Sequence, residues 1–232
     1  MATKYGPTIV TDGLVFYVDA ANSQSYPGSG NYWIDLSGNG LSLTLQNSPS
    51  FSTNNGGYFD LDGQNDHFNR VGDLTPIVTD RGSWSFWAKA ISGSYISLLH
   101  IVDSNYTDFQ RIIGDSTWTG YLSTAAENDN SAIYTAFSTG DSVGTDWFNV
   151  VLRQNGTNIQ FYINGTSSGT AVVDTSWISE AVGTTTTLRV GRAAWGDSYW
   201  YGQISVVQYY NRGLTDAEIL QNYNAHKGRY GL

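Results

Sequence analysis

The sequence has no cysteine, one methionine and four prolines among 232 residues, and only 13% of its residues are charged. Without cysteine there is neither a disulfide nor a thiolate metal site. The longest apolar run, near Ile96–Val102, has about seven residues, whereas a helix that spans a bilayer needs ~20. These absences exclude a disulfide-stapled scaffold and argue against a helical membrane protein.

Positive charge is also scarce, with 11 Lys and Arg against 20 Asp and Glu and a net charge of −9. The basic residues are scattered, and no basic cluster is evident. Because such a surface repels phosphate, we expect neither nucleic acid nor an anionic membrane as a partner. Met1–Pro7 lacks the apolar core of a signal peptide, so we expect synthesis in a cytoplasm.

Glycine (26 residues) and aromatic residues (14%) are abundant, which favours strands joined by turns. Trp84, Phe86 and Ala88 alternate with Ser85, Trp87 and Lys89, which predicts a strand over 83–90. About a dozen such short segments follow one another with turn signals between them. They predict an all-β antiparallel sandwich or jelly roll in one domain, 1–232, with a short N-terminal arm of about residues 1–10.

The clearest hairpin lies between Phe148 and Gly165. Two alternating segments, 148–153 and 158–163, are separated by Asn155-Gly156, and the second ends at Asn164-Gly165. Asn-Gly favours tight primed turns, in which both central residues have positive φ. We therefore expect such a turn at each Asn-Gly.

One helix is predicted, close to the C-terminus. Thr215 and Glu218 have the spacing of a capping box, and Leu214 and Ile219 that of a hydrophobic staple. The helix should end near Asn224–His226, with an apolar side packed on the sheet.

Five segments stand out together: Asp12–Asn22, Trp33–Gly40, Phe59–Gly63, the hairpin ending Tyr162-Ile-Asn-Gly165, and Gly202–Ile219 with its Tyr210-Asn-Arg-Gly-Leu-Thr215. They resemble the concanavalin A-like lectin/glucanase superfamily, in particular laminin-G-like domains of tailed-phage virion proteins. The resemblance implies an antiparallel sandwich with one short C-terminal helix.

This resemblance implies a non-enzymatic virion structural protein. We expect a capsid decoration or a fibre or appendage module, displayed on the particle and docked to other virion proteins as a homo-oligomer. It would be made in the host cytoplasm and would reside in the virion. The alternative is a carbohydrate-binding, lectin-like module for host surface glycans.

The same superfamily includes glucanases, which carry a Glu-x-Asp-x-x-Glu type pair of carboxylates on one strand. This chain has three glutamates, Glu127, Glu180 and Glu218, and none forms such a pair. Because glycoside hydrolysis needs two carboxylates flanking one bond, we expect no enzymatic activity.

Calcium is the one cofactor that the resemblance raises; otherwise none is expected. Asp60, Asp62, Asn65 and Asp66 gather oxygen ligands in one turn. The acid that relatives often carry after Gly-x-Ile is here Ser205, which argues against an inherited site. The alternative is that these side chains stabilise the turn itself. We expect Asp19 and Asp35 to hold the long first loop in the same way.

The aromatic loop 195–201 provides the candidate ligand site. Trp195, Tyr199 and Trp200 could stack on sugar rings while Asp197 binds hydroxyl groups. Alternatively, these rings belong to the core or to a protein interface.

Overall fold

The computed structural model describes residues 7–91, 97–114, 120–129, 131–183, 185–194, 196 and 198–232, with the backbone alone at 134–137 and 185. Within them the chain forms antiparallel strands in two eight-stranded sheets. The strands are β1 (Leu14–Asp19), β2 (Tyr32–Trp33), β3 (Leu43–Gln46), β4 (Ser50–Ser52), β5 (Tyr58–Asp62), β6 (His67–Asp73), β7 (Gly82–Ala90), β8 (Ser97–Val102), β9 (Phe109–Gly114), β10 (Leu122–Asn128), β11 (Ser131–Ser138), β12 (Phe148–Gln154), β13 (Asn158–Ile163), β14 (Thr166–Val173), β15 (Thr185–Val190) and β16 (Tyr201–Tyr210). The helices are α1 (Ile178–Ala181) and α2 (Asp216–His226), with 3-10 turns at Asn54–Gly56 and Lys227–Arg229.

Sheet I has the strand order β14-β13-β12-β7-β16-β5-β4, and β1 also pairs with β16. Sheet II has the order β11-β10-β9-β8-β15-β6-β3-β2. This arrangement confirms the predicted antiparallel sandwich with a C-terminal helix. No described helix combines the length and apolar character that a bilayer crossing requires.

The main core lies between the two sheets. Sheet I contributes Trp84, Phe86 and Phe148, and sheet II contributes Leu99 and Ile101, all of them buried. Trp33 closes one side of this core, with its ring 5.0 Å from those of Phe59 and Phe68. Contacts of this type bury large apolar areas and dominate the stability of such a sandwich.

The outer face of sheet I is covered by the C-terminal segment. Ile219 of α2 packs with Val151 and Tyr210, and Leu214 joins the same cluster, as the predicted staple requires. Farther along, the ring of Trp87 is 5.6 Å from that of Tyr223 and 4.4 Å from that of Tyr230. Strand β12 is therefore buried on both faces. Central strands with both faces covered are characteristically rich in apolar residues.

The predicted capping box is present, since Thr215 Oγ1 accepts from Glu218 N at 3.2 Å and Glu218 Oε2 accepts from Thr215 N at 2.8 Å. Arg212 Nη2 also forms an ion pair with Glu218 Oε1 at 2.7 Å. These hydrogen bonds, led by the one from Arg212, lower the pKa of Glu218 to about 2. The start of α2 is thus fixed by local sequence.

The predicted primed turn is correct at one Asn-Gly and wrong at the other. Asn164 and Gly165 have φ of 50° and 81°, as the primed turn needs. Of residues 155–157, only Gly156 has a positive φ (96°). There Asn155 Oδ1 accepts hydrogen bonds from Thr157 N and Asn158 N, so the side chain shapes a three-residue loop.

Some elements escaped the sequence analysis. Strands β2, β4, β6 and β14 and the four-residue helix α1 were not predicted. Strand β14 contains Ser, Thr and Gly with little apolar alternation, and β6 alternates over only a few residues. Such segments become strands through their neighbours rather than through their own propensity.

Candidate functional site

The long first loop brings Tyr32 to the outer face of sheet II. Asp35 holds this loop, as predicted, by accepting hydrogen bonds from Tyr17 N at 3.0 Å and Leu41 N at 3.0 Å. Asp19 likewise accepts from Ala21 N at 2.9 Å. The loop then delivers the short strand β2 to the edge of sheet II beside β3.

Tyr32 and Trp33 are neighbours that point in opposite directions. Trp33 is fully buried in the core, whereas 58% of Tyr32 is exposed. Side chains alternate between the two faces of a strand, so burying Trp33 places Tyr32 on the outer face. The sequence analysis missed Tyr32. The adjacent Tyr-Trp pair, with Trp33 assigned to the core, was the available signal.

Two grooves meet at Tyr32 and Thr44. One, of about 250 Å³, is also lined by Ser42, Asn69 and Arg70. The other, of about 370 Å³, is also lined by Tyr26, residues 30–31, Leu45 and residues 47–49. An exposed aromatic ring therefore stands between two depressions that contain hydroxyl and amide groups.

The rim of the second groove has an unusual backbone. Asn47 and Ser48 both have positive φ, of 61° and 73°. This conformation is disfavoured for residues other than glycine and occurs often at binding sites. Asn47 Nδ2 also donates to Asn65 O at 2.8 Å, which ties the rim to the turn after β5.

The row that begins at Thr44 continues across sheet II. Thr44 lies opposite Asn69, Asn69 opposite Arg189, and Arg189 opposite His100. Leu188 and Val190, on either side of Arg189, belong to the core, so the side chain of Arg189 lies on the outer face. The grooves at Tyr32 thus lead toward an arginine.

The predicted aromatic site lies beside this row. Arg192 and Tyr199 form a β-bridge, and Ala193 N donates to Ser198 O at 2.9 Å, so residues 192–193 pair with residues 198–199. Ala194 N donates to His100 Nδ1 at 2.8 Å, which places Ala194 over the outer face of sheet II.

The candidate sugar-binding residues separate in the structure. Trp195 and Asp197 lie outside the described residues. Tyr199 is half-buried, 6.0 Å from His67 between ring centres. Trp200 is fully buried, and its ring packs edge-on toward Phe148. We therefore assign Trp200 to the core rather than to a ligand surface, which corrects that part of the prediction.

His100 is a structural histidine. It is fully buried beneath Ala194. Burial first, then the neighbouring Arg111 and Arg189, lowers the pKa of His100 to about 3. The imidazole is therefore neutral at pH 7, in agreement with the acceptor role of Nδ1.

The three carboxylates proposed for calcium accept hydrogen bonds from within the protein. Asp62 Oδ1 accepts from Gln64 N and Asn65 N at 2.9 and 3.1 Å, and Asp60 Oδ1 accepts from Gln203 Nε2 at 2.8 Å. Burial and the nearby Asp62 raise the pKa of Asp66. Across the described residues no group of three or more acidic or histidine side chains is arranged to hold a metal ion. Calcium binding by Asp60, Asp62, Asn65 and Asp66 stays a prediction.

Residues 62–220 match the family described as the Concanavalin A-like lectin/glucanases superfamily, and the chain belongs to it. No curated protein matches the sequence significantly.

Three solved structures show the same fold. Domain 4 of AbnA, an extracellular arabinanase from Geobacillus stearothermophilus, was solved with arabinotriose; it has a TM-score of 0.65 and 16% identity over 90% of this chain and 98% of its own. The binding domain of botulinum neurotoxin DC, solved with rat synaptotagmin II, has a TM-score of 0.67 and 13% identity over 93% of this chain. A botulinum neurotoxin serotype D/C binding domain has a TM-score of 0.71 and 14% identity over 92% of this chain. The chain spans 52% of each toxin domain. At such identities the likeness shows the fold alone.

Proposed function

We propose that this chain is a non-catalytic carbohydrate-recognition module that binds a sugar chain on the outer face of sheet II. The observation that carries the proposal is the exposed Tyr32 ring between two polar grooves. Aromatic rings offer an apolar face for the C–H groups of a pyranose, while hydroxyl and amide groups bind its oxygens.

The shape of the surface favours an extended ligand. The two grooves share Tyr32 and Thr44, so a chain of sugars can cross the ring and extend into both. Both grooves are shallow and polar, which suits a hydrated glycan better than an apolar small molecule. The likeness to an arabinanase domain solved with arabinotriose supports this assignment at the level of the fold.

The non-catalytic part of the proposal is supported by the glutamates. Glu218 is held by Arg212 and the start of α2, and Glu180 Oε2 accepts from Trp177 N at 2.8 Å. Both act as local structural groups. We expect no release of reducing ends when the protein is incubated with any polysaccharide that it binds; such release would contradict this part.

A glycan array with the wild-type protein, followed by calorimetry, tests the binding. Tyr32→Ala should weaken the interaction about tenfold or more, because it removes the stacking ring. Tyr121→Ala is the matched control, since Tyr121 is also exposed (40%) but precedes β10 on the far side of the same sheet. The proposal is overturned if no glycan binds, or if both variants bind like the wild type.

We infer further that the module is carried on a tailed-phage particle, where it docks to other virion proteins. The support is the sequence resemblance, whose first two segments interlock in the structure: Asp35 of one binds the backbone of Tyr17 in the other. Light scattering on the purified protein tests the assembly role. A closed oligomer is expected, and a monomer at all concentrations would contradict it.

A further inference from the structure

The arginines, scattered in the sequence, differ in their partners in the structure. Arg81, Arg153, Arg212 and Arg229 each form an ion pair with an acidic side chain. Arg189 and Arg192 have no acidic side chain within ion-pair distance among the described residues. Both lie next to the surface that carries Tyr32, and no basic cluster was expected there from the sequence.

Strand pairing places these two arginines together. Arg189 is in β15 opposite Asn69 of β6, and Arg192 follows two residues after the same strand. Both charges act on one imidazole, since the pKa of His67 is lowered by burial first and then by Arg192 and Arg189. The two guanidinium groups therefore flank the stretch of sheet II that contains Asn69 and His67.

Tyrosine rings hold both guanidinium groups. The guanidinium carbon of Arg189 lies 5.6 Å from the ring centre of Tyr106, and that of Arg192 lies 5.1 Å from the ring centre of Tyr199. Arg189 Nη1 also reaches Ala193 O at 3.5 Å. Stacking reduces the number of conformations that each side chain samples, so less entropy is lost when an anion binds.

The net charge of −9 makes this placement informative. Four arginines elsewhere pair with acidic side chains, whereas Arg189 and Arg192 lie beside neutral rings and an amide. Guanidinium groups bind carboxylate and sulfate oxygens through paired hydrogen bonds. The chemistry is that of a small anion-recognising subsite.

Resting on the proposed sugar binding, we propose that Arg189 and Arg192 form a subsite for the anionic groups of an acidic polysaccharide. Sugar rings would cross Tyr32 in β2, and a carboxylate or sulfate three strands farther along would meet Arg189 in β15. Strands are about 4.8 Å apart, so β2 and β15 are separated by roughly 14 Å, about the length of three sugar units. The row Thr44–Asn69–Arg189 would select negatively charged chains.

A nucleic acid is the less favoured anion. Two arginines do not form the long basic track that follows a phosphate backbone, and the rest of the surface is acidic overall. Single-stranded DNA of mixed sequence nevertheless belongs in the test. If it binds more tightly than every acidic polysaccharide, the sugar assignment of this subsite is overturned.

The experiment compares polysaccharides that share a backbone and differ in charge. Suitable pairs are polygalacturonate with its methyl ester, and κ-carrageenan with its desulfated form, which distinguish carboxylate from sulfate. The wild type should bind the acidic member of one pair about tenfold more tightly, and this preference should fall as salt is raised. The double variant Arg189→Gln/Arg192→Gln should lose the preference but keep its affinity for the neutral form.

Arg81→Gln is the control, because it removes one positive charge from an exposed pair with Asp80 and should keep the preference. Thermal melting establishes that each variant is folded. Equal binding of acidic and neutral forms by the wild type overturns the anionic subsite and leaves the proposed function standing. Failure to bind any member of the pairs or of the glycan array overturns the proposed function itself.

Discussion

The two sheets of this sandwich differ in what covers their outer faces. On sheet I, helix α2 and the C-terminal turn bury Trp87 and Val151 under aromatic and aliphatic side chains. On sheet II, Ala194 lies over His100, while Tyr32 and Val71 remain exposed at 58% and 67%. One face is closed by the chain itself and the other is open along β2, β3 and β6.

This difference separates stability from recognition. Substitutions on the covered face of sheet I should act on folding, whereas substitutions near Tyr32 should act on binding and leave folding almost unchanged. Four predictions test this separation, in order of decreasing effect on the free energy of unfolding.

Trp87→Ala should have the largest effect, a loss of about 4 kcal/mol in the free energy of unfolding, because it opens a cavity between Tyr223 and Tyr230. Urea denaturation followed by circular dichroism measures it. The molecules that remain folded should bind glycan like the wild type. A loss below about 1 kcal/mol would show that the covering of sheet I contributes little to stability.

Acidification should destabilise the protein at His100, which is buried beneath Ala194. The pKa of His100 is about 3 in the fold, lowered from 6.5 chiefly by burial. The unfolded state therefore takes up a proton first, and stability is lost as the pH falls below 6.5. From pH 8 to pH 5 this amounts to about 2 kcal/mol. Burial also lowers the pKa values of His67 and His226, which act in the same direction.

Urea unfolding at several pH values measures this slope. His100→Asn retains an acceptor for Ala194 N but cannot titrate, so its slope over this range should be shallower than that of the wild type. Glu218 does not interfere, because its contribution is lost only below about pH 4.5 as the pH falls toward its lowered pKa. An unchanged slope in the variant would assign the effect to other groups.

Thr215→Ala should have a smaller effect, about 1 kcal/mol, because it removes one half of the capping box of α2. Thr166→Ala, an exposed threonine in β14, is a control without a capping role. Chemical denaturation of both variants measures the difference. Equal stabilities would show that Arg212 and Glu218 alone fix the start of the helix.

Tyr32→Ala should have the smallest effect on folding, within about 0.5 kcal/mol, because its ring is mostly exposed. The same variant should show the largest effect on glycan affinity. A large loss of stability would indicate that Tyr32 supports the first loop, and the contrast between the two sheets would then fail at this residue.

Local sequence predicted those elements whose determinants are local. The capping box, the strand around Trp84–Ala88 and the turn at Asn164-Gly165 follow from residues a few positions apart. The turn at Asn155-Gly156 was not predicted correctly from local sequence. The side chain of Asn155 accepts hydrogen bonds from the backbone and favours a longer, three-residue loop. Whether an Asn-Gly pair forms a two-residue primed turn or a three-residue loop depends on side-chain hydrogen bonds, which the composition does not reveal.

The candidate site was less predictable because it is assembled from distant segments. Tyr32, Asn69 and Arg189 come from three parts of the chain and meet only through the pairing of β2, β3, β6 and β15. Strand β6, which links them, escaped prediction. Without its register, neither the groove nor the two neighbouring arginines could be derived. The aromatic loop 195–201 was instead selected by composition, which did not reveal that Trp200 is buried.

The most direct test of the account is calorimetric titration of the best ligand from a glycan array into wild type, Tyr32→Ala and Tyr121→Ala. The account predicts that affinity falls about tenfold or more in Tyr32→Ala, with unchanged melting temperature, and is retained in Tyr121→Ala. Equal affinities in all three proteins would place the ligand elsewhere and contradict the assignment of recognition to the open face of sheet II.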